Sequence, residues 1–263
     1  MFPLTLLKHA IDSIKPLPPI KICYFIRAGD EEIAFHHKEE VRAASIIKLF
    51  ILAAAYYEEE KGNLDLSRQV CISSSDMAGG AGVIPYLSDK QTYTYQQLLE
   101  LMIIVSDNTA TNVLIDYIGL DNIHVFIQTI GCKQTTLERK LMDEEAIKHG
   151  LENKTTCYDV MHLLDFFTEP NDILSSYAQE KMLTILGNQQ LNNKLTAYTS
   201  YDHTIRAFHK TGELNRAEHD AAIFQTADKL LKAVVLTEGW TNNGHGQQFH
   251  QKTGLHIYHY LKG

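Results

Sequence analysis

The chain has 263 residues, of which 44% are hydrophobic and 21% are charged, and this composition excludes disordered and collagen-like proteins. Its formal net charge of −8 argues against a nucleic-acid partner, which would require a basic surface. No apolar run approaches the roughly 20 residues that a helix needs to cross a bilayer, so no membrane partner is expected.

The first predicted elements are a helix and two strands. Apolar residues from Leu4 to Ile14 recur at helical spacing, and a proline cluster after Lys15 ends the pattern. Residues 20–26 and 32–35 are rich in β-branched and aromatic side chains and flank a turn, which predicts two short strands.

The middle of the chain is predicted to be helical from residue 45 to about residue 186. Residues 45–61 are apolar on nearly every side, which predicts a buried helix that Gly62 ends. Two more helices are predicted over 95–105 and 109–118. The charged stretch 139–155 has weak periodicity and is predicted to be a long loop with short turns.

The last third of the chain predicts strands over 203–209, 221–226 and 230–237, and then a helix over 247–261. Short connections between these strands favour antiparallel pairing. The two early strands must join the three late ones to form a useful sheet. We therefore expect an α/β protein whose lobe of residues 1–43 and 200–263 carries a five-stranded antiparallel sheet. Residues 44–199 would form an all-helical lobe, with the active site in the cleft between the two.

The first residues and the cysteines bear on localisation. Charged side chains interrupt the first 15 residues at helical spacing, which is not the pattern of a secretory signal, so we expect a cytoplasmic protein; a chain trimmed of an export signal would look the same. The cysteines are scattered and form no CxxC pair, which favours free buried thiols over disulfides. They are Cys23, Cys71, Cys132 and Cys157.

Ser45 and Lys48 lie at i and i+3, so the hydroxyl and the amine are neighbours on one helix face. A serine becomes a nucleophile when a base takes its proton, and burial in this apolar helix would lower the lysine pKa enough for that role. S-x-x-K is common by chance. The alternative is that Ser45 caps the helix and Lys48 extends to the surface.

Two further motifs follow along the chain. Ser106-Asp107-Asn108 separates two predicted helices; it could cap the second helix, or Ser106 could shuttle a proton while Asn108 binds a substrate carbonyl and Asp107 points inward to hold the loop. Lys210-Thr211-Gly212 could supply a positive charge, a hydroxyl for a substrate carboxylate and close backbone approach. A second KTG at 252–254 lies in the terminal helical pattern and is interpreted as coincidence.

In this order, S-x-x-K, SDN and KTG resemble the motif set of the class A β-lactamase and penicillin-binding protein superfamily. SDNTATNVLIDYIG also resembles that family's SDN helix, and TTLERK and ENKTT resemble the two ends of its omega loop. The resemblance covers nearly the whole chain and implies the β-lactamase/transpeptidase-like fold. It further implies that the residues act as follows: Ser45 as nucleophile, Lys48 as general base, Ser106 and Lys210 in proton transfer, Asn108, Thr211 and Gly212 in substrate binding, and the backbone N–H groups of Ser45 and Glu213 as the oxyanion hole.

The omega loop departs from the family pattern. A match without gaps from Arg139 places Leu141 where the family has the glutamate that activates the deacylating water. Leucine cannot accept a proton. Glu145 is the best substitute base, with Asp143 and Glu144 behind it, unless all three are solvated loop charges. Without a replacement, deacylation would slow by about 10²–10⁴-fold.

The partner of a substrate carboxylate is also open. Arg216 could serve, or His219 held by Asp220 could lie there. The 13 histidines show no metal-binding spacing, so no metal or cofactor is expected. The polar loop 73–82 would border the cleft or be a simple connection.

The sequence thus predicts a serine hydrolase that acts on small-molecule β-lactams through an acyl-enzyme, with a monomer favoured. The alternatives are a β-lactam trap or sensor without turnover, and a slow esterase or peptidase on a non-lactam substrate.

Overall fold

The first elements follow the predicted order of a helix, two strands and a buried helix. The computed structural model describes residues 3–88 and 91–263. A short 3-10 turn over Ala44–Ile46 precedes the buried helix. These elements are α1 (Leu4–Ser13), β1 (Lys21–Ala28), β2 (Glu31–Phe35), β3 (Val41–Arg42) and α2 (Ile47–Glu60).

The middle of the chain is mainly helical, as predicted, with short strand pairs between the helices. The predicted loop 139–155 contains one short helix and one two-residue strand. The middle elements are β4 (Gln69–Ile72), β5 (Gln91–Thr94), α3 (Tyr95–Ile104), α4 (Asn108–Ile118), α5 (Leu120–Thr129), α6 (Glu144–Lys148), β6 (Lys154–Thr155), α7 (Cys157–Thr168) and α8 (Ser176–Gly187). The last elements are β7 (Arg206–Leu214), β8 (Ala217–Gln225), β9 (Leu230–Glu238) and α9 (Asn243–Lys262).

The early and late strands form one five-stranded sheet in the order β2-β1-β9-β8-β7, and every neighbouring pair is antiparallel. This confirms the predicted sheet. The strand near the start of the chain, β1, pairs with the last strand, β9, so that Lys21 lies opposite Glu238. β7 is an edge strand, so one side of its backbone faces away from the sheet.

Each face of the sheet has its own apolar core. On one face, α1 and α9 cover residues such as Val235, and Leu7 and Ile257 pack there. On the other face, Val234 packs with the helical part of the chain, including α2. Residues 49–55 of α2 are fully buried, as the all-round apolar pattern predicted.

The late strands are longer than predicted. β7 runs over Arg206–Leu214 where 203–209 was predicted, and β8 begins at Ala217 rather than Ala221. KTG therefore lies inside a strand. Lys210 and Gly212 have low strand propensity, but pairing with β8 determines the conformation here. The turn falls at Asn215 and Arg216, and Arg216 adopts φ +66°.

α9 begins at Asn243, earlier than predicted, and the side chain of Asn242 caps it by accepting a hydrogen bond from the Gly244 N–H at 2.8 Å. The second KTG lies inside α9. Its glycine, Gly254, faces the Leu195 carbonyl so closely that a β-carbon would collide with it. The helix thus packs directly on the segment before β7. No described helix, within 3–88 and 91–263, is long and apolar enough to cross a membrane.

Candidate active site

Ser45 lies in the 3-10 turn before α2 and is half-buried. The preceding Ala44 adopts φ +47°, a strained value for a residue with a β-carbon. The turn and α2 carry no side-chain cap hydrogen bond, so Ser45 does not act as a helix cap. Its side chain lines a cleft of about 680 Å³. The cleft-lining residues are Ser45, Ala81, Ser106, Met142, Leu191, Asn193, Lys194, Thr211, Glu213, Leu214, Asn215 and Asn243.

Lys48 is completely buried one turn after Ser45, so the surface-lysine alternative is wrong. Its Nζ lies 2.7 Å from the Ser106 carbonyl oxygen, 3.0 Å from Ser106 Oγ and 2.9 Å from Asn108 Oδ1. Burial, and next the positive charge of Lys210, hold the Lys48 pKa well below its ordinary value. A lowered pKa favours the neutral amine that a general base requires.

Ser106 connects the two buried lysines. It adopts φ +57°, and its Oγ lies 3.0 Å from Lys48 Nζ and 3.1 Å from Lys210 Nζ. Lys210 also donates to the Thr211 carbonyl at 2.7 Å. Burial, followed by the nearby charge of Lys194, lowers the Lys210 pKa to about 7. Two amines and one hydroxyl therefore form a continuous path for a proton.

Asp107 holds the loop that forms one wall of the cleft, as predicted. Its Oδ2 accepts the N–H groups of Val83 at 2.7 Å and Ile84 at 2.9 Å, while Oδ1 accepts the Ala110 N–H at 2.9 Å and caps α4. Gly82 adopts φ +122° against the Asp107 side chain, where a β-carbon would collide. The capping role and the role in the cleft thus coexist.

Asn108 connects the loop that forms the cleft wall to Lys48. Its Nδ2 donates to the Gly79 carbonyl at 2.9 Å, its backbone N–H donates to the Ala81 carbonyl at 3.0 Å, and its Oδ1 accepts from Lys48. These bonds fix the orientation of the amide. The role of Asn108 in binding a substrate carbonyl stays a prediction.

β7 passes close to the Ser45 turn. A β-carbon on Gly212 would lie 3.1 Å from Ile46 Cγ1 and 3.3 Å from Ala44 Cβ, so glycine allows the strand to contact the residues on both sides of Ser45. Thr211 and Glu213, on either side of Gly212, both line the cleft. The predicted oxyanion hole would lie at this contact.

Sequence reasoning missed the cleft wall formed by the segment before β7. Lys194 is buried there, and its Nζ lies 2.7 Å from the Gly212 carbonyl and 2.5 Å from Glu218 Oε2. Asn243, at the start of α9, donates to Glu218 Oε1 at 2.8 Å. No motif marks these residues. The fold alone brings them to the cleft.

The structure does not place the predicted substitute bases in the cleft. Asp143 caps α6 by accepting the Ala146 N–H at 3.0 Å. The Glu145 side chain is 74% exposed and paired with Lys148 at 2.6 Å. The neighbouring Met142 does line the cleft, and Asn112 holds Leu141 through two hydrogen bonds to its backbone, of 2.8 and 3.0 Å.

The proposed carboxylate partners lie elsewhere too. Arg216 is exposed, does not line the cleft and donates to the Gly239 carbonyl at 3.4 Å. His219 is buried, and its Nε2 donates to the Arg42 carbonyl at 2.8 Å. Burial lowers the His219 pKa to about 3, so the ring is neutral. Asp220 does not hold it, because neighbouring residues on a strand point to opposite faces.

Asp220 contacts His209 Nδ1 at 3.2 Å and accepts the Leu195 N–H at 3.0 Å.

Three cysteines are buried free thiols, but Cys71 is exposed, which corrects the prediction that all four are buried. Burial raises the Cys23 pKa to about 12. Within 3–88 and 91–263, no group of three or more His, Cys, Asp or Glu side chains could hold a metal ion.

The fold and the arrangement around Ser45 define the class A β-lactamase fold, with a serine in a cleft between the sheet edge and helices. Comparison with known proteins leads to the same family. Residues 19–261 match the model of the beta-lactamase enzyme family, and the chain belongs to that family. It is a serine hydrolase family, and membership implies small-molecule substrates.

Individual relatives are distant in sequence. The extended-spectrum beta-lactamase PER-1 of Pseudomonas aeruginosa is 24% identical over 249 residues, which cover 89% of this chain and 80% of that protein. Beta-lactamase BRO-1 of Moraxella catarrhalis is 26% identical over 66% of this chain, and the match spans 56% of the relative's own length. A beta-lactamase structure from Sphaerobacter thermophilus has a TM-score of 0.89, 26% identity and 98% coverage of both chains. The structure of PBP-A has a TM-score of 0.86, 23% identity and coverage of 99% and 97%.

Proposed function

We propose that this protein forms an acyl-enzyme with β-lactams through Ser45 and releases the acyl group slowly. The observation that carries the first part is the buried path from Lys48 through Ser106 to Lys210 beside the Ser45 cleft. A leucine-to-glutamate mutant of PBP-A, which shares this fold, has been solved as an acyl-enzyme complex with penicillin G. A protein of this fold therefore forms the intermediate that we propose.

The acylation step uses the groups as follows. Ser45 Oγ attacks the lactam carbonyl carbon while its proton passes to neutral Lys48, and the N–H groups of Ser45 and Glu213 stabilise the oxyanion. The C–N bond then breaks. The lactam nitrogen takes the proton of Ser106, which is replaced from the lysine pair. Asn108 and Thr211 orient the substrate.

Slow deacylation follows from the omega loop. In a match of the loop without gaps from Arg139, Leu141 falls at the position of the family's glutamate, and leucine has no proton acceptor. Glu145 is exposed and paired with Lys148. A positioned general base contributes about 10²–10⁴-fold to a rate, so its loss would leave the acyl-enzyme long-lived. The protein would then act as a β-lactam trap or sensor, or as a weak β-lactamase.

Intact-protein mass spectrometry after mixing with benzylpenicillin, together with turnover of a chromogenic cephalosporin, tests both parts. We expect a mass increase equal to the penicillin, retained for many minutes, and little turnover. Ser45→Ala should abolish the adduct, and an adduct that persists in this variant would refute the assignment. Absence of an adduct and of turnover in the parent would leave an esterase or peptidase, to be assayed with an activated ester.

The deacylation part has its own comparison. Leu141→Glu should shorten the life of the adduct by about tenfold or more, because it restores a carboxylate at the matched position. Glu145→Gln should leave the adduct lifetime unchanged. A large increase in lifetime on Glu145→Gln would instead show that Glu145 is the working base.

A further inference from the structure

The charges that line the cleft do not balance. Among the lining residues that the structure describes, only Lys194 and Glu213 carry a formal charge. Lys194 is compensated, because its Nζ lies 2.5 Å from Glu218 Oε2. Glu213 takes part in none of the ion pairs found within 3–88 and 91–263. The uncompensated charge at the cleft surface is therefore negative.

Glu213 is also close to the nucleophile. It follows Gly212, which contacts the residues on both sides of Ser45. Ser45 and Glu213 line the same cleft, so a substrate held by Ser45 and the Glu213 carboxylate share one surface. The side chain is exposed and can meet a bound substrate.

The neighbouring cations do not neutralise Glu213. Lys210 is buried beneath the cleft surface, where it donates to Ser106 and to the Thr211 carbonyl. Arg216, three residues further along the hairpin, directs its guanidinium to the Gly239 carbonyl. A substrate entering beside Thr211 therefore meets a carboxylate that has no protein counter-ion among the described residues.

We propose that Glu213 is a specificity-determining residue that selects substrates carrying a positively charged group, such as an ammonium, over substrates whose only charge is a carboxylate. This inference rests on the proposed acylation of Ser45. It concerns the side chain of Glu213, whereas the oxyanion hole would use only its backbone N–H. Substitution of the side chain can therefore change selectivity while the hole is retained.

Two pairs of compounds isolate the charge. Benzylpenicillin and ampicillin differ by one ammonium on the acyl chain, while cephalothin and cephaloridine share an acyl chain and differ by an acetoxy or a pyridinium group at the other end. The measurement is the second-order rate of Ser45 acylation, followed by intact mass. In Glu213→Gln, the preference for the cationic member of at least one pair should fall by about three- to fivefold relative to the parent, as expected for one exposed charge pair. The pair that responds locates the cation.

Salt and a control variant complete the test. In the parent, the preference for the cationic substrate should decrease as salt rises from about 0.05 to about 1 M, because salt screens the charge of Glu213. The preference of Glu213→Gln should not depend on salt. Glu180→Gln makes the same change of net charge at an exposed site on α8 and should behave as the parent.

The two proposals fail in different ways. If Ser45 is acylated but neither ratio changes in Glu213→Gln, the inference is wrong and the proposed function stands. If no β-lactam acylates the protein, the same comparison is made with p-nitrophenyl acetate and the p-nitrophenyl ester of glycine, which carries an ammonium. Failure with every β-lactam overturns the proposed function, and failure with the esters as well overturns this inference too.

Discussion

Lys210→Met is expected to make the protein more stable while abolishing its proton path. The Lys210 pKa is lowered from 10.5 to about 7, mainly by burial. Such a group binds its proton less tightly when folded, so the lysine destabilises the folded protein at neutral pH by about 4 kcal/mol. The variant also loses hydrogen bonds to Ser106 and to the Thr211 carbonyl, together about 2 kcal/mol. The net gain should be about 2 kcal/mol at pH 7.

The sign of the pH dependence follows from the same shift. Between pH 7 and 10.5 the unfolded parent binds the Lys210 proton and the folded parent does not, so parent stability rises with pH through this window. The advantage of Lys210→Met should thus be greatest at pH 7 and below, vanish near pH 9 and become a slight disadvantage at pH 9.5. Urea unfolding of both proteins at pH 7 and 9.5 measures it. Lys133→Met, at an exposed lysine, is the control. An advantage that is absent at pH 7, or that grows with pH, would refute the reasoning.

Two other substitutions test the packing around the cleft. Asp107→Ala leaves three backbone N–H groups without their carboxylate and should lower the free energy of unfolding by about 3–5 kcal/mol, measured by urea unfolding. Asp107→Asn should lie between this variant and the parent. A loss below about 1 kcal/mol in Asp107→Ala would show that water replaces the carboxylate. Gly254→Ala forces α9 away from the Leu195 carbonyl and should lower the free energy of unfolding by about 1–3 kcal/mol. The added β-carbon of Gly79→Ala meets no atom within 4 Å, so this control should lose less than about 0.5 kcal/mol. Equal melting temperatures for the two variants would contradict this.

The parts of the fold that could be predicted are those with strong local patterns. The apolar residues of α2 specify a buried helix, and the β-branched runs of β1 and β9 specify strands. The chain order of those strands then required the sheet that is observed. Motif order likewise identified the residues that meet around Ser106, because S-x-x-K, SDN and KTG in this order resemble the motif set of a known family.

The missed features depend on contacts between distant residues. The predicted strand before KTG ended at residue 209, and pairing with β8 extends it through KTG to Leu214. Lys194 has an unremarkable sequence context, and its role at the cleft arises from Glu218 on another element. The prediction for His219 was wrong because its partner, the Arg42 carbonyl, lies 177 positions away in the chain.

The closure of the sheet also has a consequence for how the chain folds. β1 pairs with β9, whose residues lie about 200 positions later, so synthesis of most of the chain precedes formation of the central strand pair. Until then β1 lacks one of its two pairing strands, whereas α2 can already pack on α4 and α5. Such long-range pairing is slow, and the partly folded intermediates expose apolar surface and tend to aggregate. The serine turn is therefore assembled late, and conditions that protect a growing chain should raise the yield of active protein.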